Sequence, residues 1–413
     1  MEDYLLKIVI VGHIDHGKST LIGRLLLDTH SLADDKMKEI KRISKELGRD
    51  TELAYLIDHL KEEREHEMTI DTSQIFFHTR KRHYVIIDAP GHVEFLKNML
   101  TGATQAEAAV LIVDTQAGIK EQTRRHAFLI GLLGIKNIIV LCNKMDLINF
   151  NQARFEEVKN ELSQFFKNLG IEPLFFIPAS AKEGLNIVKR SPQMNWYKGP
   201  CLIEALDSLM PKVRIEELPL RFPIQDVYEI KGEKIIAGKL ASGAMERGQT
   251  IKLMPAAKET RVNSIRVFGK NIRRAQAGEN IGLELEGTLF AKRGEVIVDN
   301  ARPASPVLRF KGDVFWMAEA PLEINKPITL RCATQEVACV PQIIEKRINS
   351  STLEILEENA KELKINEAGV VFFKTERPVI LEKFSYIEEL GRFVLESAHQ
   401  TQGAGIVTEN NLT

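Results

Sequence analysis

Eight consecutive residues, Gly12-His13-Ile14-Asp15-His16-Gly17-Lys18-Ser19, put a glycine at each end of a loop that closes on Lys-Ser, with Thr20 next. This GxxxxGK[ST] spacing suits phosphate chemistry. Glycine lets the backbone curl until successive N–H groups face phosphate oxygens, at a helix N-terminus whose dipole favours anions. Lys18 would then bridge the β- and γ-phosphates, and the Ser19 hydroxyl would ligate Mg²⁺. His13, Ile14, Asp15, His16, Gly17 and Thr20 complete the expected cradle. On its own the loop leaves ATP and GTP undecided.

The base is read from Asn143-Lys144-Met145-Asp146, directly after the apolar run NIIVLC. A carboxylate at Asp146 can accept two hydrogen bonds, from the ring N–H and the exocyclic amine of guanine, and adenine offers no such pair. Leaving a buried carboxylate unpaired is penalised, so such a site discriminates by roughly 10⁴. Asn143 would tie this loop to the phosphate loop and Lys144 would lie along the base. Ser180-Ala181-Lys182 would supply a backbone N–H for the guanine oxygen. Asp88-Ala89-Pro90-Gly91-His92 ends another apolar run: Asp88 suits Mg²⁺ through water, the Gly91 N–H suits the γ-phosphate, and His92 sits where a group can orient an attacking water. Thr69, within EREHEMTID, would close over the nucleotide and add its hydroxyl to Mg²⁺ while the γ-phosphate is present. The expected ligands are therefore GTP or GDP with Mg²⁺, with His92, Lys18 and Thr69 in catalysis and Ser19, Thr69 and Asp88 around the metal.

These loops need elements to hold them. Apolar runs at Lys7 to Val11, Tyr84 to Asp88, Ala109 to Asp114, Asn137 to Cys142 and Leu174 to Pro178 alternate with helical patterns beginning near Lys18, Val93, Glu121, Gln152 and Pro200. Continuous apolar strands separated by helices imply a mostly parallel sheet covered on both faces, a doubly wound α/β P-loop domain over residues 1–213. The charged segment from Asp34 to Glu67 reads as a pair of amphipathic helices. After Pro211 short β-branched runs appear between glycines, the pattern of a barrel or a sandwich. A break at Asn300 to Pro306 divides this part into two all-β domains, 214–303 and 304–413.

The length of 413 residues agrees with about three domains. Lys and Arg total 56 against 57 Asp and Glu, a net charge of −1, so no global field exists to hold a polyanion and bulk nucleic-acid binding is disfavoured. Four cysteines are too few for a disulfide scaffold and read as reduced thiols. No run approaches the roughly 18–20 apolar residues of a membrane span, and the start of the chain reads as neither signal nor anchor, which places it in the cytoplasm.

The set GHIDHGKST, EREHEMTID, DAPGH, NKMD and SAK, in that order, resembles the translation-factor class of GTPases, in which a P-loop domain precedes two β-barrels. Within that class the chain resembles most the GTPase subunit of bacterial sulfate adenylyltransferase, through LIGRLLLDT, the stretch Gln122 to Leu147, DVFWMAEAPL at Asp313 to Leu322, and Gly391 to Val407. The run at Trp316 to Glu319 weighs most in that likeness. The resemblance implies GTP hydrolysis coupled to formation of adenylylsulfate and pyrophosphate on a separate catalytic small subunit, with protein rather than nucleic acid as partner. The alternative is an elongation- or release-factor-like GTPase that binds aminoacyl-tRNA or a release factor at the ribosome. Glu67 and Met68 stand where such proteins usually carry Gly and Ile.

Overall fold

The computed structural model describes residues 5–13, 15–32, 73–88, 106–209, 217–230, 232–268, 270–287 and 291–410. The chain divides into two compact units, the first mainly residues 1–211 and the second mainly 212–413. The helices expected near Val93 and over Asp34 to Glu67 lie outside the described residues.

The first unit runs β1 (Leu5–Val11), α1 (Lys18–Asp28), β2 (Ser73–His78), β3 (His83–Asp88), β4 (Ala108–Asp114), α2 (Glu121–Leu132), β5 (Asn137–Asn143), α3 (Gln152–Asn168), β6 (Phe175–Pro178) and α4 (Leu202–Ser208). The strands form one sheet in the order β2-β3-β1-β4-β5-β6. All neighbours are parallel except β2, which runs antiparallel to β3 along the edge. Continuous apolar sequence is what a strand covered on both faces requires: every residue of β4 is buried. On α1 the pairs Leu21-Ile22 and Leu25-Leu26 recur one turn apart and pack against Leu6, Ile8 and Ile10 of β1. The strand order reverses direction on either side of β1, and in open α/β sheets ligands bind beyond the carboxyl ends of the strands at such a point. The loops that follow β1, β4, β5 and β6 meet there.

The second unit contains two closed antiparallel barrels. In one, the six strands Thr250–Met254, Val296–Asp299, Arg221–Ile230, Glu233–Lys239, Asn280–Leu285 and Lys258–Val267 pair in that order, and the last returns to the first. In the other, Ile328–Cys332, Arg392–Ser397, Gln400–Glu409, Pro306–Trp316, Glu367–Ile380 and Gln335–Asn349 close in the same way. Closure removes the exposed edges that a sandwich would keep. All four cysteines are free and buried, and burial pushes the Cys142 and Cys339 thiols up to about 12. Among the described residues no helix is long and apolar enough to cross a membrane.

Candidate nucleotide-binding site

The phosphate loop leaves the buried end of β1 and turns into α1 through Gly17, whose φ of +94° is a left-handed conformation. A Cβ there would come within 2.5 Å of Asn143 Nδ2, so conformation and space both demand glycine. At Gly12 a Cβ would collide with the Ile112 carbonyl of β4. Both glycines thus let the loop lie flat on β4 and β5. Lys18 arches back across it, its ammonium donating to Gly12 O at 2.6 Å and His13 O at 3.1 Å. Ser19 and Thr20 occupy the first turn of α1.

His16 does not face outward. Its side chain is buried against β4, with Nδ1 3.3 Å from Ile112 O. Desolvation lowers its pKa to about 4, so the ring is neutral at physiological pH. Its edge meets the His13 ring at a centroid distance of 5.2 Å. His16 supports the loop from beneath, and its share in a phosphate cradle is its backbone.

Asn143, the last residue of β5, is the buried knot of the site. Its Nδ2 donates to His16 O at 2.9 Å, and its Oδ1 accepts the Ala181 N–H at 2.8 Å. One side chain therefore fixes the phosphate loop, β5 and the segment after β6. Lys144 follows in a left-handed conformation and pairs with Asp114 at 2.8 Å. Asp114 also accepts the Gln116 and Ala117 N–H groups, and with Lys144 these hold its carboxyl below the usual carboxylate range against the opposing effect of burial. Asp146 comes next in a single turn of 3₁₀ helix. Its Oδ1 is buried and has no hydrogen-bond partner among the described residues. A buried carboxylate oxygen without a donor is costly, and a guanine N–H is the type of group that would satisfy it.

Ser180 and Ala181 are buried beside this loop. Because the Ala181 N–H is committed to Asn143, it holds the loop in place. Arg24, on α1, donates to Ala181 O at 3.2 Å and Lys182 O at 2.5 Å and pairs with Asp28. Sequence reasoning overlooks Arg24, since nothing in its neighbourhood announces a partner more than 150 positions away. The structure thus gathers His13, Asp15, His16, Gly17, Lys18, Ser19, Thr20, Asn143, Lys144, Asp146, Ser180, Ala181 and Lys182 around the carboxyl ends of β1, β5 and β6. Asp88 closes β3, and its side-chain surroundings lie outside the described residues. So do Ile14, Glu67, Met68, Thr69, Gly91 and His92.

The fold and this site define a P-loop GTPase domain followed by two β-barrels. Residues 3–212 match the family model of the elongation factor Tu GTP binding domain, 233–298 that of elongation factor Tu domain 2, and 309–408 the GTP-eEF1A C-terminal domain-like model. Similar proteins include elongation factor 1-alpha of Aeropyrum pernix, 38% identical over 98% of this chain and 96% of that one. The elongation factor 1-alpha of Pyrococcus furiosus is 40% identical over 97% of this chain and 96% of the other. That of Methanocaldococcus jannaschii is 39% identical over 98% and 97%. The chain belongs to the family of elongation factor Tu and elongation factor 1-alpha.

This overturns the expected kinship with the GTPase subunit of sulfate adenylyltransferase. With it go sulfate activation, the catalytic small subunit as partner, and the preference for a protein over nucleic acid. The run that carried most weight, Trp316 to Glu319, has a structural explanation. Trp316 is buried at the end of a barrel strand, its ring over Gly403, and its indole N–H donates to Ala320 O at 2.7 Å. Barrel packing accounts for the tryptophan without any partner. The coarser part of the expectation, a GTP-binding domain of the GTPase class, stands.

Proposed function

We propose that this chain is an elongation-factor-like GTPase that binds GTP with Mg²⁺, hydrolyses it, and in its GTP state carries aminoacyl-tRNA at the ribosome, in the cytoplasm. The observation that carries the nucleotide reading is the buried, unpartnered Asp146 Oδ1 beside a loop that Asn143 ties to the phosphate cradle. Asp146 would accept from guanine. The loop amides and Lys18 would hold the phosphates, Lys18 exchanging its present carbonyl partners for phosphate oxygens. The glycine cradle and the hard oxygen donors fit a Mg²⁺–nucleotide, with Ser19 and Thr69 as ligands and Asp88 acting through water. Bound Mg²⁺ would neutralise phosphate charge. His92 would orient the attacking water and the Gly91 N–H would meet the γ-phosphate. The boundaries proposed for the three domains are 1–213, 214–303 and 304–413.

The tRNA reading is supported by relatives named elongation factor 1-alpha that match nearly end to end. It is tested by titrating aminoacyl-tRNA onto the chain loaded with a non-hydrolysable GTP analogue or with GDP. Binding should favour the GTP form and weaken steeply between about 50 and 200 mM salt, as phosphate contacts do. Equal absence of binding in both forms would remove the tRNA role while leaving the nucleotide site untouched.

A further inference from the structure

At the opposite end of the sheet from the phosphate loop lies a cleft of about 580 Å³, within the range of about 300–1,000 Å³ typical of ligand pockets. Leu5, the first residue of β1, and His83, the first of β3, form its floor with His78, because the register pairs Leu5 with His83 and His83 with His78 across three strands. β1 is seven residues long, so this end lies about 20 Å from the phosphate loop at the usual strand rise. Phe76 falls on the same side of β2 as His78 and is 54% exposed, an unusual state for a large aromatic on a sheet. His30 and Ser31 line the cleft from the segment after α1. Ser31 Oγ accepts the His78 N–H at 3.2 Å and lies 3.3 Å from its Nδ1, which fixes that imidazole.

The hairpin joining the two strands is Thr79-Arg80-Lys81-Arg82. Thr79 bonds to Asp207 and Arg82 donates to Leu209 O. Arg80 and Lys81 are exposed and make no ion pair among the described residues. The cleft therefore joins an open aromatic and aliphatic surface and three imidazoles, and Arg80 and Lys81 stand in the adjoining turn, each two residues along the chain from a lining histidine. A planar ring with a phosphate attached complements all three.

We propose that this cleft is a second nucleotide-binding site, taking the base against Phe76 and Leu5 and the phosphate at Arg80 and Lys81, with the imidazoles bonding between them. Base–aromatic stacking contributes about 1–3 kcal/mol and tolerates any base. The same chemistry is offered by a free nucleotide and by the 5′ end of an RNA strand. The inference does not depend on the tRNA reading or on the guanine site.

The test uses the full chain saturated with GDP, titrated with adenosine 5′-monophosphate, with a 5′-phosphorylated single-stranded RNA hexamer, and with inorganic phosphate. Binding is read by equilibrium dialysis and by the imidazole resonances of His78 and His83. One additional mole of nucleotide or hexamer per chain should bind, saturably shifting those resonances. Phe76→Ala and the double variant Arg80→Ala/Lys81→Ala should each weaken it about tenfold or more while GDP affinity stays unchanged. Equal saturation by both ligands would assign free nucleotide, and tighter hexamer binding an RNA end. The proposal is overturned if neither ligand adds a second mole, if both variants titrate like the parent chain, or if inorganic phosphate competes as well as the nucleotide does. Failure of the guanine site would show separately, as loss of the first mole.

Discussion

At the scale of single residues, the site turns on the contrast between Asn143 and Asp146. Asn143 is fully engaged, with His16 O on one side and the Ala181 N–H on the other, whereas Asp146 keeps a buried oxygen without a donor. The first builds the site, and the second is the acceptor proposed for the base. Asp146→Asn replaces an acceptor with an amide that can offer an N–H to a base carbonyl. GDP affinity should fall by roughly 10²–10⁴ while xanthosine diphosphate gains, since a site built around one hydrogen-bonding pattern rejects the analogue lacking it. Competition of the two diphosphates against a fluorescent nucleotide measures this, and an unchanged order of preference would mean that the base is read elsewhere. These residues were legible because their chemistry is local, four types at fixed spacing after an apolar strand. Arg24 was illegible for the opposite reason: its partners at Ala181 and Lys182 come together only when α1 and β6 have folded onto one sheet.

At the scale of elements, the parallel strands were readable because burial on both faces forces continuous apolar sequence. β2 escaped that pattern. It is an edge strand in which, among the side chains described, Ile75 and Phe77 are turned to the core, and SQIFFH lacks the run that marks its neighbours. Local pattern left barrel and sandwich open, because closure depends on pairing such as Ile328 with Cys339 that no local pattern encodes; the resemblance to translation-factor GTPases is what supplied the two barrels. The phosphate loop shows how an element's support sets its response to pH. His16 titrates near 4 in the folded chain because it is buried against β4, against an ordinary imidazole value of about 6.5. The unfolded chain therefore binds more protons between those values, so stability falls as pH drops through about 6.5 and the loss is complete near 4. The full effect is about 3 kcal/mol by that linkage. In urea unfolding of the parent and His16→Gln chains from pH 7.5 to 4, the parent should lose stability more steeply. Parallel profiles would show that His16 is charged or solvated in the folded loop.

At the scale of the whole chain, the near-zero net charge misdirected the choice of partner. A sum over 413 residues erases local fields such as the exposed Arg80 and Lys81, and it is the local field that meets a polyanion. Beyond the proposed division into modules, the two barrels share a core. Met254, Val296 and Val298 of one pack with Ile380, Ile387 and Leu390 of the other. Beside them the buried Arg221 guanidinium pairs with Glu382 at 2.7 Å and also donates to the carbonyls of Leu220 and Arg302 at 2.9 Å. Arg221 opens the first strand of one barrel and Glu382 follows the strand ending at Ile380 in the other. Truncating one partner of such a pair leaves a buried charge uncompensated, at a cost of about 3–5 kcal/mol, whereas replacing both with apolar groups is often neutral. Glu382→Gln should therefore lower the thermal unfolding midpoint of the barrel unit, Arg221→Met/Glu382→Leu should restore most of it, and GDP affinity should hold in both. Calorimetry on the full chain with and without GDP checks the three outcomes together. If Glu382→Gln leaves the midpoint unchanged, the ion pair contributes nothing to joining the barrels and the shared apolar core alone holds them.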